Sequence, residues 1–206
     1  MKPRSTFILA VILLMLGGTK IWAQPLSPEE LKAQPVYTTL ESALENPQQV
    51  YRLRLRINSD SLPDEVFQLT NLQELVAIRC KLDVLNDRIG ELTNLELLNL
   101  TGNHLIKLPE SIGELVNLKK LIVSRNLIES LPESISNLHK LVLIDAWENP
   151  IYALPESISE LRETLKTIDL RQIDLRDWEV EKMEEQLPNT EILYTSTCDC
   201  HSTRGK

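Results

Sequence analysis

The most reactive chemistry in this 206-residue chain lies near its carboxy terminus, where Cys198, Asp199, Cys200 and His201 set two thiols and an imidazole side by side. Thiolates and imidazoles are the donors that zinc and other soft metals accept, but a closed structural zinc site takes four ligands, and here only three strong ones are local. The same two thiols can close a Cys-x-Cys disulfide through a tight ring, bridge to another molecule, or stay reduced. The chain holds 3 Cys, so at least one is unpaired in a monomer. Cys80, the third, reads as a buried core thiol.

Other reactive residues are scattered. His104 and His139 stand alone and read as solvated surface positions. The chain has no Gly-rich phosphate loop, no H-E-x-x-H and no G-x-S-x-G. Most acids fall in Pro-Glu-Ser triplets or on polar faces of short helical stretches. No catalytic residue, metal ligand set or cofactor site is assigned, and no enzymatic activity is expected. Arg52, Arg54 and Arg56 form a different constellation. Their alternation puts three guanidinium groups on one face of a strand, an arrangement suited to carboxylates or phosphates unless Glu74 or acids of the preceding segment neutralise it.

The elements that must position these groups are written in leucine. The sequence has 38 Leu against 6 Gly and only 4% aromatic residues, which points to a repeat. Aligned on leucine, segments begin at Leu62-Pro63-Asp64, Leu85-Asn86-Asp87, Leu108-Pro109-Glu110, Leu131-Pro132-Glu133 and Leu154-Pro155-Glu156, each 23 residues after the last. The clearest copy runs Leu92, Leu95, Leu98, Leu100, Asn103, Leu105. The next gives Leu115, Leu118, Leu121, Val123, Asn126, Ile128, and a third gives Leu138, Leu141, Ile144, Ala146, Asn149, Ile151. Weaker copies stand at Val50 to Asn58 and Leu165 to Leu175. In each, x-L-x-L-x alternates faces, so the two Leu point into a core and the x residues point out.

This pattern resembles the leucine-rich repeat family, of the 23-residue L-P-x-x-I type, and is most like exported bacterial members. The resemblance implies an α/β solenoid: a right-handed horseshoe with a parallel β-sheet on the concave face and short helices on the convex face. It implies that Asn58, Asn103, Asn126 and Asn149 hold the position where the chain turns off each strand, with Cys80 there in the second repeat and Ile173 in the last. Ile cannot hydrogen-bond, so the stack is expected to loosen or end near it. Pro in L-P-E suits the first turn of a short helix, and Val66, Ile89, Ile112, Ile135 and Ile158 face the core. In the family, outward strand residues form the surface where partners often bind. By register these include Arg52, Arg54 and Arg56, and an apolar band of Val76, Ile78, Leu97, Ile122, Leu143 and Trp147. An apolar band with a Trp has the composition of a protein-binding hot spot.

The chain divides into residues 1–23, a signal peptide; 24–49, an amino-terminal helical cap; 50–177, about six repeats; and 178–206, a carboxy-terminal cap and tail. Lys2 and Arg4 precede an unbroken apolar run, Phe7 to Leu16, followed by Gly17, Gly18 and Ala23. That run is too short to span a bilayer and has the form of a secretory signal. No later segment is apolar enough to cross a membrane. Ser27-Pro28-Glu29-Glu30 is a capping box, and Thr38 with Glu41 a second candidate. Trp178, Met183 and Leu187 are the expected inward residues of a last helix, and Ile192 to Thr195 a last strand.

The formal charge of −8 becomes −11 without the signal, as Lys2, Arg4 and Lys20 leave 19 cations against 30 acids. Such a chain lacks the basic surface of a nucleic-acid binder. The expected function is a secreted or periplasmic, non-catalytic module that binds a protein or peptide through its concave face. The alternatives are a structural or adhesive protein of the cell envelope, or a metal-binding protein using Cys198-Asp199-Cys200-His201.

Overall fold

A computed structural model describes residues 25–196. The expected signal peptide and the Cys198-Asp199-Cys200-His201 motif lie outside these residues. Seven parallel strands form one sheet in chain order: β1 (Arg52–Leu55), β2 (Glu74–Ala77), β3 (Leu97–Asn99), β4 (Lys120–Ile122), β5 (Leu143–Asp145), β6 (Thr167–Leu175) and β7 (Glu191–Ser196). The register is unbroken through the middle of the sheet, where Leu75, Leu98, Leu121, Ile144 and Ile168 stand side by side. All five are fully buried. They form the sheet side of one continuous core, which the stacking of coils creates and no single coil could bury alone.

The opposite wall of that core is built from short 3-10 turns, including Asp64–Gln68, Asp87–Glu91, Glu110–Glu114, Glu133–Asn137 and Glu156–Leu161. In a 3-10 turn, side chains at i and i+3 share a face. Ile112 and Leu115, like Ile135 and Leu138, are therefore both fully buried. Pro109, Pro132 and Pro155 stand one step before the turn and not within it, with φ between −72° and −63° and an extended ψ. Their carbonyls accept the N–H of Ile112, Ile135 and Ile158 at 3.0–3.1 Å. Proline donates no N–H, so this cap position costs it nothing. Where Asn86 replaces proline, its carbonyl accepts the N–H of Ile89 at 3.0 Å in the same way, and its side chain adds a bond from the N–H of Arg88 at 2.9 Å.

Between strand and turn runs a ladder of buried asparagines. Asn103, Asn126 and Asn149 each reach backbone groups of their own coil and of the coil before. Asn58 does not join them and is exposed; it has no preceding repeat to supply the carbonyls that its amide would bond. Cys80 fills the second position as a buried thiol 3.6 Å from the carbonyls of Leu55 and Ile78.

The ends correct several expectations. Ser27 caps α1 (Pro28–Ala33) in the expected box, its hydroxyl accepting from Glu30 N while Glu30 accepts from Ser27 N at 2.9 Å. These bonds hold the Glu30 carboxyl below its ordinary range. The second cap is Thr39, not Thr38, before α2 (Leu40–Leu44), with Ser42 as its partner. Tyr37 then forms a parallel bridge to β1, exchanging backbone bonds with Arg52 and Arg54. At the other end the sheet does not stop at Ile173. β6 kinks at Gln172, which has a positive φ of 58°, and β7 still pairs with it across a register shift. In α3 (Asp177–Gln186), Val180 and Met183 face the core, followed by Leu187, but Trp178 is 58% exposed. Five residues separate Trp178 from Met183, a spacing that puts the two on different sides of a helix.

Candidate functional site

The outward residues of the strands line up in files along the concave face. Arg54, Val76, Asn99, Ile122, Asp145 and Asp169 are successive register partners in one file. A second runs through Arg52, Glu74, Leu97, Lys120, Leu143 and Thr167. Sequence spacing places these residues correctly relative to one another. Their exposure is another matter. Val76, Leu97, Ile122, Leu143 and Trp147 are half-buried, and of the expected apolar band Ile78 alone counts as exposed, at 41%. Neighbours within the files cover one another, so the band is a shallow relief and not a set of projecting anchors.

The basic row also splits. Arg52 Nε lies 2.6 Å from Glu74 Oε2, and its guanidinium donates to the Gln34 carbonyl at 3.4 Å. Its charge is therefore answered within the chain, by the residue that the sequence marked as a neutralising candidate. Arg54 and Arg56 are exposed, and neither forms an ion pair among the described residues.

At the far end of the face lies a group that the sequence analysis did not single out. Asp169 is nearly buried and receives a two-pronged guanidinium contact from Arg171, with N···O distances of 2.6–3.1 Å. Asp145, its partner on β5, has a buried Oδ1 that accepts no hydrogen bond. Burial first, and the negative charge of Asp169 second, push the Asp145 carboxyl above the ordinary carboxylate range. Next to it, the Trp147 ring lies 5.6 Å from the guanidinium carbon of Arg125, itself 3.1 Å from Glu148. A small polar network lies on the neighbouring coils: Asn99 accepts from Thr101 O–H at 2.7 Å, and Thr101 lies 3.3 Å from the buried Ser124 hydroxyl.

Apart from Trp178 in α3, the most exposed apolar side chains are on the flank that follows the asparagine ladder, at Val84, Ile106, Leu127 and Tyr152. Leu127 and Tyr152 border an open groove of about 790 Å³, with Arg79, His104 and Arg125 also on its wall. His104 Nδ1 lies 3.2 Å from Asp83 there, and both side chains are solvated. Among the described residues, no group of three or more His, Cys, Asp or Glu is placed to hold a metal ion. No helix among them is long and apolar enough to cross a membrane.

The period, the seven-stranded parallel sheet and the asparagine ladder define a leucine-rich repeat solenoid. No family model matches the chain, and no curated protein matches it. Solved structures do. The chain is similar to a leucine-rich repeat protein of Leptospira interrogans, with 28% identity and a TM-score of 0.57, over 80% of this chain and 54% of that one. It is also similar in fold to internalin C2 of Listeria monocytogenes, with 20% identity and a TM-score of 0.60, over 78% of this chain and 66% of the other. The chain thus spans about half the length of the Leptospira protein.

Proposed function

We propose that the chain is an exported, non-catalytic module that binds a protein or peptide on the concave face of its sheet. The observation that carries this reading is the set of apolar side chains that alternates between the two outward files. Val76, Leu97, Ile122 and Leu143 are not needed by the core, which Leu75, Leu98, Leu121 and Ile144 complete on the other side of the same strands. Apolar residues kept on the solvent side of a sheet favour a protein partner. Trp147 and the arginines Arg54 and Arg56 add residue types that dominate binding energy at interfaces, with Ile78 exposed beside them and Arg52 held by Glu74. Export is supported by the charged start and apolar run of residues 1–23.

The test is capture of partners by the immobilised protein, compared with Trp147→Ala and Ile122→Asp. Both variants are expected to keep the wild-type circular dichroism spectrum and to lose the captured partner. Capture unchanged in both variants would show that the concave face is not the binding surface.

A further inference from the structure

The inference drawn here rests on the concave face being a binding surface and concerns what its first two strands select. Arg52, Arg88, Arg125 and Arg171 each face a carboxylate of the chain. Arg54 and Arg56 have no such partner among the described residues, and both are exposed. Arg54 lies on β1 and Arg56 one residue past its end, about 7 Å apart where the backbone stays extended, so the two guanidinium groups form a neighbouring pair of cationic sites. The next coil sets two apolar side chains beside them, Val76 on β2 and Ile78 in the turn just after it. Val76 is the register partner of Arg54, and Ile78, two residues on, is 41% exposed. Arg79 follows on the rim with a left-handed φ of 54°, again without an acidic partner among the described residues. On a chain of net charge −8, which repels anions in general, this corner is a local exception.

The geometry points to a docking site for an acidic peptide segment of a partner protein, one in which carboxylates are interspersed with aliphatic side chains. The carboxylates take Arg54 and Arg56 in charge-assisted hydrogen bonds, and an aliphatic side chain covers Val76 and Ile78. The apolar pair decides between ligand classes. A phosphate or a sulfated polysaccharide satisfies the arginines but leaves Ile78 in water, whereas a Glu- and Leu-bearing segment satisfies both.

Fluorescence anisotropy of labelled synthetic peptides tests this. The probes are a peptide mixing Glu and Leu, its counterpart with Gln for every Glu, and oligo-Glu, with heparin as a polyanion control. The Glu/Leu peptide is expected to bind about tenfold or more tightly than the Gln/Leu peptide, and more weakly as salt rises. Arg54→Glu with Arg56→Glu should abolish that preference, with an unchanged melting temperature because both side chains are exposed. Ile78→Ser should weaken the Glu/Leu peptide and leave oligo-Glu unaffected. Equal binding of the Glu and Gln peptides, heparin binding without peptide binding, or full affinity in the double arginine variant would each overturn the proposal. If the arginine variant binds normally while Trp147→Ala and Ile122→Asp do not, the concave-face reading stands and this one falls. If all bind normally, both fall.

Discussion

Asn103 and Cys80 occupy the same position in successive coils, and the side-chain oxygen of Asn103 accepts the backbone N–H of Cys80 at 2.9 Å. The same oxygen accepts from Leu82 N at 3.1 Å, while the amide nitrogen donates to the carbonyls of Ala77 and Leu100 at 2.8 and 2.7 Å. One buried side chain thus satisfies four backbone groups that no strand or turn can reach. Asn103→Ala takes this partner from the Cys80 and Leu82 N–H groups and the Ala77 carbonyl, out of contact with water, while the Leu100 carbonyl keeps a bond from Asn126 at 3.0 Å. The expected cost is about 3 kcal/mol or more, since each orphaned buried group carries a penalty of about 1–3 kcal/mol. Asn58→Ala, at an exposed position, should stay within about 0.5 kcal/mol of wild type. Urea unfolding of both variants measures the contrast, and equal losses would contradict the ladder.

That contrast also shows how far a repeat can be read from its letters. Inward leucines are legible because every coil gives them the same surroundings, so their spacing alone sets their burial. The asparagine position is legible only where a preceding repeat exists, which is why Asn126 behaves as expected and Asn58 does not. Trp178 shows the weakness of choosing large residues before checking phase. Asp145 and Asp169 pair across 24 residues where the repeat has 23, so the pairing is found by aligning the strands on their own leucines and not by the period alone. Among the exposed apolar residues of the flank, Ile106 and Tyr152 stand 46 residues, or two repeats, apart, whereas Val84 and Leu127 fall at other positions, so only half of this set is legible from the period.

Leu121 is fully buried between Leu98 on one side and Ile144 on the other. Truncation to alanine removes contacts to both neighbouring coils, and backbone hydrogen bonds prevent the strands from closing the gap. Leu121→Ala and Leu98→Ala should each lower stability by about 2–5 kcal/mol. In a stack where each coil contacts only its neighbours, the loss is expected to show as a lower and broader thermal transition. An unchanged melting temperature would contradict the register.

Gly113 lies in the Glu110–Glu114 turn, where the next coil comes close. A Cβ added there would stand 2.6 Å from the backbone oxygen of Ser134 and 2.7 Å from its Cβ. Backbone cannot rotate away as a side chain can, so Gly113→Ala forces the two turns apart. A cost of about 1–3 kcal/mol is expected, as for other overpacked cores. Gly90→Ala meets the flexible Glu114 carboxylate at its nearest point, and should cost less. Thermal melts of the two variants provide the comparison, and a larger loss at Gly90 would show that the turns are not fixed as described.

Asp145 is a carboxylate in which burial outweighs the bonds that favour its charge. Burial and the neighbouring Asp169 raise it above the ordinary carboxylate range in the folded chain, whereas in the unfolded chain it titrates normally, near about 3.9. Between those two values the folded state binds more protons than the unfolded state, so this residue makes stability fall as pH rises through the window. Asp145→Asn keeps the shape and removes the charge. The variant should therefore melt above wild type at neutral pH, and its advantage should shrink as pH falls below the ordinary carboxylate range, where wild type is also uncharged. Asp169→Asn offers no such gain, because it removes the carboxylate that Arg171 grips. Melting curves of the two variants and wild type, taken from acid to neutral pH, separate these effects. An advantage for Asp145→Asn that does not change with pH would mean that charge at this position is not what limits the fold.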